Sequence, residues 1–249
     1  MSDAREETAL LRRRFDELSQ RAFQTGAYCF TDFLNTAEQA TLLEMKKQPC
    51  TLWGGASGCE RRMAVFGDAA QNAPDWPLCC LLIAPRGARF AEPLSHRDYL
   101  GALMNLGVQR GVLGDIVVRP EGAYLFCTRK IAPYLSENLT QIKHTAVDCT
   151  QTELPEGEMY VRRAERVQVN SPRIDALTAR VFKLSREASL ELFRAKKVFV
   201  DSALCENNSR LLQEGNVVSV RGYGRYIFCG VSGTSKKGKL NVNIEIYES

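Results

Sequence analysis

The residues of this chain best suited to chemistry are cations set beside residues that free the backbone, near the C-terminus. They are Arg173, the pair Ser185-Arg186, the pair Lys196-Lys197, and Arg221-Gly222-Tyr223-Gly224-Arg225. The chemistry they suit is recognition of phosphate. A helix capped by Ser185 offers free backbone N–H groups and the positive end of its dipole. Arg186 adds a guanidinium able to grip a phosphate with two hydrogen bonds. Lys196 and Lys197 can lie further along the same surface. Gly222 and Gly224 let backbone approach a polynucleotide closely, with Arg221 and Arg225 on either side. Charge is distributed to match. From Ser171 to Ser249 there are 13 Lys and Arg against 8 Asp and Glu, while residues 1–170 hold 20 against 21, so the net +4 arises entirely in the last third.

Other chemistries are poorly served. The nine cysteines include no C-x-x-C pair, and Cys79-Cys80 are adjacent, a poor geometry for one tetrahedral zinc. They read as reduced thiols used as small core residues, with no metal and no cofactor. Trp53-Gly54-Gly55-Ala56-Ser57-Gly58 lacks the G-K-[ST] ending of a phosphate loop and reads as a turn leading into a strand. Ala84-Pro85-Arg86-Gly87-Ala88-Arg89 lacks the glycine spacing of a methyltransferase. There is no G-x-S-x-G or H-E-x-x-H, and the two histidines read as capping or surface groups, His96 in a first helical turn and His144 at a helix end. Asp115 in Gly-Asp-Ile is the best candidate for a pseudouridine synthase acid. Its competing reading is a strand-start residue that caps a turn.

The elements that must position these groups follow from periodicity. Residues up to about 70 look mainly helical: Glu6 to Thr25 with Gly26 as a stop, then Thr36 to Lys47 with Thr36 as N-cap and Pro49 beyond. Leu78 to Ala84 is a buried strand. Ser95-His96-Arg97-Asp98 opens a helix with capping-box spacing. Asp115 to Arg119 and Ala123 to Cys127 are strands joined by Pro120-Glu121-Gly122, and a helix over Ile131 to Ile142 precedes a strand over Thr145 to Cys149. This order is the split βαβ, ferredoxin-like pattern, which RNA-recognition motifs share. Tyr124 and Phe126 alternate as a base-stacking pair would, and a structural core explains them equally well. An acidic turn, Glu153 to Glu158, precedes a strand over Val161 to Val169, and Asn170-Ser171-Pro172 breaks the chain. The last part offers a helix from Arg173 to Leu184, a second from Ser185 through Phe193, and strands at Val198 to Asp201 and Gln213 to Val220. The expected fold is α+β in three domains: a helical 1–75, a ferredoxin-like 76–169 and an RNA-binding 170–249.

R-x-D-x-L, S-R-x-x-A, K-K-V-x-V and E-G-x-x-V-S-V-R-G-x-G-R resemble the alpha-L RNA-binding motif of ribosomal small-subunit protein four, pseudouridine synthases, tyrosyl-tRNA synthetases and heat-shock ribosome binders. Two departures stand out. Val198-Phe199-Val200 runs into Asp201-Ser202 where that family often has Asn-Gly, and Ser232 to Lys239 is unusually rich in Gly, Ser and Lys. Upstream, His96-Arg97-Asp98-Tyr99-Leu100-Gly101-Ala102-Leu103-Met104-Asn105-Leu106-Gly107 and Gly114-Asp115-Ile116-Val117-Val118 are similar to the bacterial YlmH family, whose C-terminal loop Gly222-Tyr223-Gly224-Arg225 matches.

That resemblance implies a non-enzymatic factor of ribosome-associated quality control. It would bind large-subunit ribosomal RNA and tRNA on a subunit still holding peptidyl-tRNA, and support alanine tailing by an RqcH-type factor. The alternatives are an RNA-modifying enzyme and an interaction protein linked to cell division. No stretch approaches the ~20 apolar residues of a membrane span, and no apolar segment follows Met1 to Glu7, so a cytoplasmic location without membrane partners is expected.

Overall fold

The computed structural model of the protein describes residues 3–45, 50–67, 73–87, 92–153 and 159–248. The chain divides into two compact units, Met1–Met159 and Tyr160–Ser249. The acidic turn and Lys46 to Pro49 lie outside the described residues.

The first unit opens with α1 (Asp3–Thr25), β1 (Cys29–Phe30), α2 (Thr36–Glu44), β2 (Cys50–Trp53) and β3 (Met63–Phe66), the strands forming an antiparallel sheet in the order β1-β3-β2. This region therefore adds a small three-stranded sheet to the expected helices. Its strands are too short, and too irregular in alternation, to register as a period of two. α1 packs Phe15 and Ala22 against Leu34, Leu42, Ala64 and Phe66, and Gly26 at φ 65° ends it as expected. The cap of α2 is Asn35, not Thr36. Its side chain accepts from Ala37 and Glu38 N–H, and Glu38 accepts from the Asn35 N–H at 2.6 Å.

A second sheet in the same unit contains β4 (Leu78–Pro85), β5 (Leu113–Arg119), β6 (Gly122–Thr128), β7 (Gln141–Ile142) and β8 (Thr145–Thr152), ordered β5-β6-β4-β8-β7 and antiparallel throughout. With α3 (His96–Asn105) after β4 and α4 (Ala132–Asn138) after β6, this is a split βαβ arrangement with one added short strand. Cys79, Leu81, Ile83, Leu125 and Val147 form the face that packs on Tyr99, Leu103 and Leu135 of the two helices. Gly122 cannot be replaced here, since its Cβ would lie 2.3 Å from the Ile83 carbonyl oxygen. α4 stops at Asn138, four residues short of the expected end, because Ile142 enters the sheet as part of β7 and is 1% exposed. His144 accordingly sits in the β7–β8 turn rather than at a helix end.

The second unit contains β9 (Arg162–Val169), α5 (Ile174–Val181), α6 (Arg186–Arg194), β10 (Val198–Val200), β11 (Ala203–Leu204), β12 (Val217–Val220), β13 (Gly224–Thr234) and β14 (Leu240–Tyr247). Its six-stranded sheet runs β11-β10-β12-β13-β14-β9. β9, read from the sequence as the end of the middle domain, pairs along its whole length with β14, from Val169↔Leu240 to Arg162↔Tyr247. The boundary drawn at residue 170 thus falls inside this unit. Among the described residues no helix is long and apolar enough to cross a membrane, and no group of three or more His, Cys, Asp or Glu is placed to hold a metal.

Candidate nucleic-acid interface

Two polar contacts fix the helices that carry the cations. The Thr178 hydroxyl lies 3.1 Å from the buried Tyr226 hydroxyl, tying α5 to β13. The Ser189 hydroxyl donates to the Asp175 carbonyl at 2.9 Å, tying α6 to α5. Around these, Ile174, Leu177, Leu192, Phe193, Val218 and Phe228 form the core. The opposite face of α5 is left to solvent.

That face lines a groove of about 770 Å³, which Gln168, Val169, Asn170 and Ser171 also line. Arg173, Arg180, Lys183, Arg186 and Lys239 all line it, against the single carboxylate of Asp175. Asp175 is already engaged by Arg173 through two hydrogen bonds of 3.0 and 2.7 Å, which hold the Arg173 guanidinium above its ordinary pKa. Arg180, Lys183, Arg186 and Lys239 have no carboxylate partner among the described residues. Four cations facing one trough without counter-ions create a positive potential suited to a polyanion.

Of the residues expected at the site, Arg173 and Arg186 line this groove, and Ser185 caps α6 by accepting from the Ala188 N–H at 3.1 Å. Lys197 and Arg221 lie together elsewhere, the Arg221 N–H donating to the Lys197 carbonyl at 2.9 Å. Gly222 at φ 87° makes the turn that follows, where the Tyr223 N–H donates to the Val220 carbonyl. Gly224, at φ 130°, packs beside Phe182. Two expected cations are already occupied. Lys196 pairs with Glu206 at 3.1 Å, and the Arg225 guanidinium lies over the rings of Tyr247 and Tyr160, at 4.2 and 4.8 Å from their centroids.

Arg180, Lys183 and Lys239 were missed from the sequence. A signal existed for the first two: Arg173, Arg180 and Lys183 fall on one helical face, at i, i+7 and i+10. Lys183 sits at φ 54° just past α5, where the Leu184 N–H reaches back to the Ala179 carbonyl at 2.8 Å, a helix-ending geometry that favours glycine. Keeping lysine there costs roughly 1 kcal/mol. Lys183→Gly should therefore raise the melting temperature by a few degrees while weakening RNA binding, as read by thermal shift and fluorescence anisotropy on the same preparation. A rise in melting temperature with binding intact would remove Lys183 from the interface, and a fall in melting temperature would overturn the reading of its backbone strain.

The first unit spends its candidate catalytic groups on structure. The Asp115 carboxylate accepts from the backbone N–H groups of Glu60 and Arg61 at 2.6 and 2.9 Å, the turn-capping role. Arg61 and Arg110 are half-buried and donate to the carbonyls of Phe33, Leu113 and Gly114. Burial, followed by the nearby Arg61 charge, lowers Arg110 to about 10. Phe126, offered as a base-stacking ring, is 0% exposed, and a Cβ on Gly55 would meet its ring at 2.4 Å. The glycine-rich turn packs on an aromatic, not on phosphate. Tyr124 is half-buried, and its hydroxyl donates to Glu121 at 3.1 Å.

Three similarities to known proteins bear on the class of this chain. Residues 75–156 match the family model described as "Putative RNA-binding domain in YlmH". The chain is 29% identical over 223 residues to "Ribosome-associated protein quality control protein P2" of Bacillus subtilis (strain 168), covering 86% of each. Among solved structures, "Cell division protein ylmH from Streptococcus pneumoniae" aligns with a TM-score of 0.47 and 20% identity, over 59% of this chain and 91% of that one. A domain of that description, in a chain that also carries a cationic groove, places the protein in the class of RNA-binding proteins. Within that class, the chain is similar to the YlmH family.

Proposed function

We propose that this protein is a non-enzymatic RNA-binding factor of ribosome-associated quality control. In this reading it binds the large ribosomal subunit that retains a peptidyl-tRNA and assists alanine tailing of the stalled chain by an RqcH-type factor. Its partners are large-subunit ribosomal RNA and tRNA, and its place is the cytoplasm. The observation that carries the RNA reading is the groove in which Arg180, Lys183, Arg186 and Lys239 stand without carboxylate partners among the described residues. Arg173 is held by Asp175 as a positioned fifth cation, while Lys197, Arg221 and the Gly222 and Gly224 backbone supply a second patch. Lys196 and Arg225 contribute less, being engaged by Glu206 and by two tyrosines. Support for the ribosomal setting comes from the name of the similar Bacillus subtilis protein.

Co-sedimentation with separated ribosomal subunits, and with large subunits bearing peptidyl-tRNA, tests the reading across a salt series. The expected result is salt-sensitive binding to the large subunit that tRNA strengthens. Well-folded protein that sediments with no ribosomal particle would refute it.

A further inference from the structure

The far half of β13, the turn after it and the start of β14 form an element that the groove does not explain. β12 pairs with β13 only as far as Ile227, so residues 229–234 leave the body of the sheet with one open edge. The β13–β14 register shifts twice, between Phe228 and Val231 and between Val231 and Gly233, which bends and twists the ribbon. The tip is nevertheless ordered by hydrogen bonds. The Ser235 N–H donates to the Lys239 carbonyl at 2.7 Å, the Lys239 N–H to the Ser235 hydroxyl at 3.0 Å, and the Gly238 N–H to the Ser235 carbonyl at 2.9 Å. Lys236 and Lys237 stand exposed on this turn, with no ion pair among the described residues.

The outward face behind the tip is a polar ladder. Gln168 donates to Asn241 at 2.9 Å, Arg166 to Asn243 at 3.4 Å, and the Ser232 hydroxyl to the Asn241 carbonyl at 3.3 Å. The alternate positions Val167, Val169 and Val242 face the core. Residues 229–239 contain three lysines, no carboxylate and no aromatic side chain. The arm is also continuous with the groove, since Gln168 and Lys239 line both.

We propose that the β13–β14 hairpin is a second RNA-contact element. It lies along the shallow minor groove of an A-form duplex, with Lys236 and Lys237 on the flanking phosphates. Single-stranded RNA is bound chiefly by stacking bases on aromatic rings, and this arm has none to offer. A-form duplex presents 2′-hydroxyls and phosphates across a wide minor groove, which amide and hydroxyl side chains and lysines can meet. This inference rests on the RNA-binding reading of the groove and adds to it the kind of RNA held, a stem rather than a loop.

The test uses the full chain, a hairpin-capped RNA duplex, and a single-stranded oligouridylate with the same number of phosphates, followed by fluorescence anisotropy across a salt series. The double variant Lys236→Ala/Lys237→Ala should lose roughly 20-fold in duplex affinity near physiological salt, with a log–log salt slope shallower by about 1.5 units. Its affinity for oligouridylate should stay near wild type, whereas Arg186→Ala should weaken both probes. Wild-type duplex binding and slope in the double variant, with Arg186→Ala still impaired, would overturn the proposal. Equal loss on both probes would overturn the assignment to duplex. If the wild type binds neither RNA, the RNA-binding reading of the groove itself falls, and the arm proposal with it.

Discussion

Replacing Arg180, Lys183 and Arg186 together by alanine should cut RNA or ribosome affinity roughly 100-fold near physiological salt. The estimate follows from counterion release. Each cation that neutralises a phosphate contributes about 0.7 to 0.9 units to the slope of log affinity against log salt, so three contacts remove about 2 to 3 units. Extrapolated to about 1 M salt, wild type and variant should converge. The three side chains are suited to this role because no carboxylate among the described residues pairs with them, and all three residues are exposed. The fold should tolerate the change. Arg180 loses only the modest stabilisation of a cation in the last turn of α5, about 0.3 to 1 kcal/mol. Arg194 supplies the control. It is equally exposed, but pairs with Glu187 and Glu191 at 3.0 and 2.9 Å, and Arg194→Ala should leave the salt slope unchanged. A triple variant with the wild-type slope, measured by co-sedimentation or anisotropy, would show that the groove is not where phosphate binds.

What could be read from the sequence, and what could not, divides along sequence separation. Ser185 as a cap, the Ser95–Asp98 box, the Gly26 stop and the hairpin at Pro120-Glu121 are all local arrangements, and the structure contains each of them. The strand and helix order of the middle region was visible for the same reason. What was not legible needed partners far along the chain. β9 looks like the last strand of what precedes it, until its pairing with β14 some 75 residues on places it in the other unit. Arg225 and Lys196 look free in sequence because nothing nearby neutralises them. Tyr247, Tyr160 and Glu206 do so only once the sheet is formed. Lys239 joins the groove by the same route, carried there when Leu240 pairs with Val169. The pairing Asp201-Ser202, a departure from the usual Asn-Gly, becomes intelligible in the structure. Both residues have positive φ, 49° and 69°, and the Asp201 carboxylate accepts from the Val217 N–H at 2.9 Å and the Asn216 side chain at 2.7 Å. The carboxylate pins the start of β12, work that the amide of asparagine could do only in part.

Phe126 is where the two readings of an aromatic pair separate by experiment. Phe126→Ala should destabilise the first unit by about 3 to 5 kcal/mol. The ring is fully buried on the sheet face opposite the helices, beneath the Gly55 backbone, with Phe33 and Gly114 beside it. Gly55 holds φ 104° and its backbone lies against the ring, so a smaller side chain leaves its space directly beneath this turn. Without relaxation, the cavity term adds to the lost transfer energy, which places the expected cost in the upper part of that range. For a unit of this size, the melting temperature should fall by roughly 10 °C, read by differential scanning calorimetry. Phe126→Leu, which keeps most of the volume, should cost much less. RNA affinity measured well below the lowered transition should be unchanged in both variants, since a ring with no exposed surface has none to offer a base. Tyr124, half-buried on the same face, is the residue from which any stacking contribution would have to come. If Phe126→Ala lowered RNA affinity without lowering the transition, the Gly54-Gly55 turn would have to open when RNA binds, and the sheet beneath it would join the interface.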